Sequence, residues 1–147
     1  MKTTDELVAL ITHLTAHPSM YLTTDSDWYM GVVTFLHGFD YAMNGSILAG
    51  FDEWLCVKFD KKYNVPWDVI IASETLGEFA YQRRPWPAEA DNVLLESLRD
   101  QATTFLVHRG TVGLRNVLYD HGKWMREKSW FDENVERYGR SDGAPHE

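Results

Sequence analysis

The sequence has one cysteine, Cys56, in 147 residues, so no intrachain disulfide can form, and it has no CxxC or Cys/His cluster of zinc-site spacing. The cysteine usage therefore points to neither an oxidising compartment nor a structural metal. Long apolar runs are missing too: none approaches the ~20 residues needed to cross a bilayer. The start MKTTDELVAL, one lysine followed by acids, is unlike a secretory signal. A cytoplasmic location without membrane insertion is expected. Basic residues are scarce, 14 against 22 acidic ones, for a net charge of −8. The deficit lies mostly at the front, where residues 1–60 carry eight acids against Lys2 and Lys58. Such a half repels nucleic acid, which needs a basic face, and attracts a basic protein partner. It also serves solubility. GxGxxG, Walker, HExxH, GxSxG and EF-hand patterns are all missing, which removes the commonest nucleotide, zinc-protease, hydrolase and calcium readings.

A hydrophobic fraction of 44% and an aromatic fraction of 14% are enough to bury a core and offset the ordering entropy. The length suits one domain. Thr3 and Glu6 stand at capping-box spacing, and Leu7, Leu10, Ile11 and Leu14 follow at helical period, so a first helix is expected to run until Pro18 ends it near His17. Met20, Tyr21 and Leu22 are then expected to pack into the corner. Asp25 or Ser26 can cap a second helix with Trp28, Val32, Phe35, Leu36, Phe39 and Met43 on one stripe, stopped by Asn44-Gly45-Ser46. Gly38 within it reads as a tight crossing.

Residues 51–72 allow two readings, a pair of helices or a two-stranded ribbon, because Trp, Cys, Val and Phe suit both. Helices are favoured. RRPWP (83–87) is a corner. From Ala88 to about Val107 a strong helix is expected. Its inward side carries Leu94, Leu95, Leu98, Ala102, Phe105 and Leu106; Glu89, Asp91, Glu96, Arg99 and Asp100 lie largely on the other. Arg109-Gly110 is expected to end it, and Thr111 to cap a last long helix carrying Leu114, Val117, Leu118, His121, Trp124 and Met125. Trp130, Phe131, Val135 and Tyr138 would dock a short terminal segment. The expected fold is thus an all-α bundle of about five to seven helices. It would form a single domain over residues 1–138, with 139–147 a disordered tail; the alternative is α+β with the ribbon at 51–72.

Candidate chemistry is sparse. His13 and His17 at i, i+4 lack a third ligand, so surface histidines are the better reading and no metal or cofactor is expected. Cys56 in WLCVKF reads as a small core residue, and Asp120 beside His121 points to a different helix face. His37 and His121 with nearby carboxylates would be the residues of a helical enzyme. Trp28, Trp67 and Trp86 are the tryptophans whose exposure matters for binding.

HPSMYL, then VVTFLHGFDYAM, FDEWLCVKF and the tryptophan of VPWDVII, together covering residues 17 to 72, resemble a family of small bacterial immunity proteins. In that family an (R/H)PxMY element precedes a helix with an FLxG(F/Y) core and then a WL-containing helix. The resemblance implies a cytoplasmic, noncatalytic protein of a contact-dependent growth inhibition or related polymorphic toxin system. Such a protein binds a cognate toxin domain and blocks it. Many such toxins are nucleases with a basic cleft, which an acidic surface can cover. Asp25, Asp27, Trp28, Asp40, Asp52, Glu53 and Asp60 are the residues expected to contact that basic partner. A general protein-binding adaptor is the other noncatalytic alternative.

Overall fold

Among the described residues, 2–128 of the computed structural model, six α-helices form the fold and no strand occurs. They are α1 (Thr4–Ala16), α2 (Trp28–Ala42), α3 (Phe51–Phe59), α4 (Trp67–Leu76), α5 (Ala88–Val112) and α6 (Leu114–Arg126). Residues 51–59 and 67–76 are helices, not a ribbon. Phe51 and Leu55, then Trp67, Ile70 and Ile71, are buried at helical spacing. The expected docking of Trp130, Phe131, Val135 and Tyr138, and the tail at 139–147, lie outside the described residues.

The capping box forms as the sequence implies. The Glu6 N–H donates to Thr3 Oγ1 at 3.2 Å and the Thr3 N–H donates to Glu6 Oε2 at 2.9 Å, satisfying two otherwise orphaned donors of α1. His17 ends that helix, and Pro18–Met20 makes one 3₁₀ turn. In the corner Tyr21 and Leu22 pack on the core, whereas Met20, expected to join them, is exposed.

The start of α2 differs from expectation. Neither Asp25 nor Ser26 caps it. Asp27 occupies the cap position with φ 53° and makes no side-chain cap bond. Instead Asp91, in the first turn of α5, accepts the Trp28 N–H at 2.7 Å and the Tyr29 N–H at 2.8 Å. Asp91 is therefore buried, not on the solvent side. The buried stripe of α2 is Tyr29, Val32, Val33 and Leu36, with Trp28, Phe35, Phe39 and Met43 partly buried at its edges. Gly38 has open space where a Cβ would sit, and it is Gly31 that lies close against Leu22.

With 25 residues, α5 is about 38 Å long. The other five helices all pack against it. It runs past Arg109-Gly110 to Val112, since Thr111 is helical and its hydroxyl donates to the Val107 carbonyl at 3.0 Å; Gly113, with φ 86°, makes the break. In α6 only Val117 is buried, while Leu114 and Leu118 are exposed.

The loop between α2 and α3 is held from two sides. Asp40 Oδ1 accepts the Ile47 and Leu48 N–H groups at 2.9 and 3.0 Å. Arg109 Nη1 donates to the carbonyls of Ala49 at 3.0 Å and Ser46 at 3.3 Å. The loop ends at Gly50, with φ 89°, where an added Cβ would come within 2.8 Å of Leu114 Cδ1 and 3.2 Å of Val117 Cγ1. Gly50→Ala combines left-handed strain with that clash and is expected to cost about 2 kcal/mol, read as a lower urea midpoint. An unchanged midpoint would mean that α6 yields without cost.

Candidate functional site

The first turn of α4 organises the most polar part of the interior. Its cap residue is Pro66, which has no side-chain acceptor, and Asp52 of α3 supplies one: Asp52 Oδ1 accepts the Trp67 N–H at 2.7 Å. The Trp67 ring is buried between Phe51 and His37, with centroid distances of 5.7 and 4.9 Å. The next residue, Asp68, is 6% exposed. Its Oδ1 lies 3.2 Å from His37 Nε2, its Oδ2 accepts the Tyr81 hydroxyl, and its backbone carbonyl accepts the Tyr29 hydroxyl at 2.7 Å. Both side-chain oxygens and the backbone carbonyl of this buried residue therefore have partners.

The shifts follow from this packing. Burial, then donation to Asp68, pushes the Tyr81 phenol up, and burial pushes Tyr29 up. Asp52 is also raised, first by burial, which outweighs the Trp67 N–H, and then by the carboxylates of Glu53 and Asp68, with His37 opposing.

Two clefts flank Trp67. One, about 790 Å³, is lined by His37, Asp40, Tyr41, Ala42, Asn44 and Gly45. The other, about 360 Å³, has Asp52, Glu53, Cys56, Tyr63, Val65 and His121 among its lining. No lysine or arginine lines either cleft among the described residues. Tyr41 stands between α2 and solvent, 88% exposed, and the His37 side chain is 45% exposed.

The seven residues singled out in the sequence do not line one cleft. Asp52 and Glu53 line one cleft with His121, and Asp40 lines the other with His37, so the two histidines do not meet in one cleft. Asp40 and Asp52 are engaged with backbone N–H groups. Asp60, past the end of α3, accepts Trp124 Nε1–H at 2.7 Å and pairs with Lys128; these two hydrogen bonds hold its carboxyl below the usual range. Asp25 and Asp27 are exposed before α2, and half-buried Trp28 lines a separate cleft between α1 and α5. Trp67 is buried and Trp86 half-buried, its Nε1–H donating to the Ala80 carbonyl at 2.9 Å. Cys56 is buried.

Sequence reasoning missed Asp68, Tyr81 and Tyr41. The signal for Asp68 was an acid inside the apolar run VPWDVII. Among the described residues no group of three or more His, Cys, Asp or Glu is arranged to hold a metal ion, and no helix is long and apolar enough to cross a membrane.

Asp52 supplies a pH test. Its folded pKa is raised above the ordinary 3.8. Its contribution to stability is therefore fully present below that value and is lost as pH rises through the folded pKa. Asp52→Asn keeps an acceptor for the Trp67 N–H and removes the repulsion. It is expected to match or exceed the wild type at about pH 7 and to lose that advantage near pH 4. Asp52→Ala leaves the N–H without its acceptor and is expected to cost about 1 kcal/mol. Urea midpoints at both pH values check this; an Asn variant weaker than Ala at neutral pH would contradict it. Compared with protein-family models, curated proteins and solved structures, the chain matches none.

Proposed function

We propose that this chain is an immunity-type inhibitor: a noncatalytic, cytoplasmic protein that binds a cognate toxin domain of a contact-dependent or related polymorphic toxin system and covers its working surface. One observation carries the reading beyond resemblance. Asp52 and Glu53 line one cleft and His37 the other, with no lysine or arginine in either among the described residues, and largely exposed Tyr41 stands one turn of α2 beyond His37. Carboxylates with no lysine or arginine lining their cleft, together with an exposed aromatic at the neighbouring one, suit a partner that brings lysine or arginine and a pocket for a phenol ring. A nuclease, with its phosphate-binding cleft, has that chemistry. Asp25 and Asp27 add long-range attraction and make no direct contact in this reading.

Co-expression tests it. If an effector domain is encoded beside this gene, it is expected to arrest growth when expressed alone and to be tolerated with this chain; arrest in both cases, or the absence of such a gene, would contradict the proposal. The half-exposed His37 backed by buried Asp68 favours a second reading, acid–base catalysis at His37. Replacing both His37 and His121 by glutamine separates the two. Binding would weaken by about threefold with protection retained under the first reading, whereas protection would vanish under the second.

A further inference from the structure

Thr15, near the end of α1, is 2% exposed, and its hydroxyl donates to the Ile11 carbonyl at 2.7 Å. The same hydroxyl oxygen accepts Arg99 Nε–H from α5 at 2.9 Å. That bond fixes the plane of the guanidinium and uses one of its five N–H donors. The terminal nitrogens of Arg83 and Arg109 reach backbone carbonyls. Those of Arg99 make neither a hydrogen bond nor an ion pair among the described residues.

The oriented fork belongs to the wall of a cleft of about 450 Å³ between the end of α1 and the middle of α5, within the size range of small-molecule sites. Trp28 and Leu95 give this cleft an apolar side, and Ser19 and Asn92 give it polar groups that make no side-chain hydrogen bond among the described residues. Among the described residues its one acid is Glu96, one turn before Arg99 on the same helix, and the two make no ion pair. His17 at the rim is the other titratable group. A cleft that holds a positive and a negative group one turn apart, neither in an ion pair among the described residues, matches a ligand carrying both charges.

We propose that this cleft binds a small zwitterion of the amino-acid class. Its carboxylate would lie on the Arg99 fork, its ammonium on Glu96 and its apolar side chain against Trp28 and Leu95. Bidentate guanidinium–carboxylate pairing supplies the orientation. The site is separate from the clefts around Trp67 and stands whether or not the immunity reading holds.

The test is an NMR titration of the full chain with phenylalanine, with propionate and phenethylamine as probes that each carry one charge. Saturable shifts at the Trp28 indole N–H and the Asn92 amide are expected for phenylalanine in the millimolar range, with both single-charge probes about tenfold weaker. Glu96→Gln leaves the Thr15–Arg99 bond intact. It is expected to raise propionate binding to the level of phenylalanine or above. Arg99→Gln, checked for folding by its unfolding midpoint, is expected to lose phenylalanine binding by at least about tenfold. No saturable shift with phenylalanine, equal binding of phenylalanine and propionate by the wild type, or an Arg99→Gln titration like that of the wild type would each overturn the proposal.

Discussion

Asp91→Ala is expected to lower the unfolding free energy by about 3 kcal/mol, the largest effect of any single polar substitution considered for this fold. The carboxylate is 3% exposed and accepts both the Trp28 and Tyr29 N–H groups at the start of α2. Removing it leaves two backbone donors unpaired where water has little access, and each charge-assisted bond contributes roughly 1.5 kcal/mol. It also removes negative charge from the positive end of that helix. Asn is not a rescue here. Its amide offers one oxygen, so the second N–H would face an NH₂ group, and Asp91→Asn should fall within about 1 kcal/mol of Ala. Asp52→Asn should behave in the opposite way, because Asp52 has a single backbone donor to satisfy. In thermal unfolding the Asp91→Ala shift corresponds to a Tm about 10 °C lower for a chain of this size. A loss below about 1 kcal/mol would mean that Asp25, Ser26 or Asp27 takes over as the cap.

The second large effect concerns binding and rests on the proposed function. Tyr41→Ala combined with Glu53→Lys is expected to weaken the complex with the toxin domain by about 100-fold or more while leaving the unfolding midpoint nearly unchanged. Tyr41 is 88% exposed and makes no ring contact or side-chain hydrogen bond among the described residues, and Glu53 has no ion-pair partner there. Neither contributes much to the fold. The two changes should separate kinetically. Loss of the phenol ring raises the dissociation rate, and charge reversal slows association and flattens its dependence on salt. Surface plasmon resonance at two ionic strengths resolves both; equal affinity for the double variant would remove this face as the interface.

How much could be read from the sequence depended on whether the cause was local. The Thr3–Glu6 box sits within one turn and was legible. For residues 51–72 the sequence left helix and ribbon both open, because Trp, Cys, Val and Phe suit either, and the burial of Phe51 and Leu55 on one helix face decides it. The capping of α2 was not legible, because Asp91 lies 63 residues from Trp28 in sequence and an acid in a helix's first turn already has a sufficient explanation in the dipole. Gly31 and Gly38 look alike in sequence, and only the path of Leu22 decides which one is crowded. Leu114 and Leu118 fit a buried stripe by spacing, yet α6 packs at the edge of the bundle, against α3 and α5, and leaves them exposed.

For the candidate site, Asp52, Glu53, His37 and His121 could be named in advance. Their division between two clefts could not, since it follows from Trp67 standing between His37 and Asp52. The general lesson concerns carboxylates. Counting them along the chain suggested one acidic face, but Asp40, Asp52, Asp60, Asp68 and Asp91 are all engaged in internal hydrogen bonds. Sequence charge is a property of the chain, and free charge is a property of its packing.

The most direct measurement is amide hydrogen exchange of this chain alone and bound to its purified toxin domain. If the chain acts as an inhibitor through the surface around Trp67, protection appears at residues 37–45 and 52–66. Exchange then stays unchanged at 15–19 and 92–99. Protection confined to other segments, or no complex at all, would contradict the account.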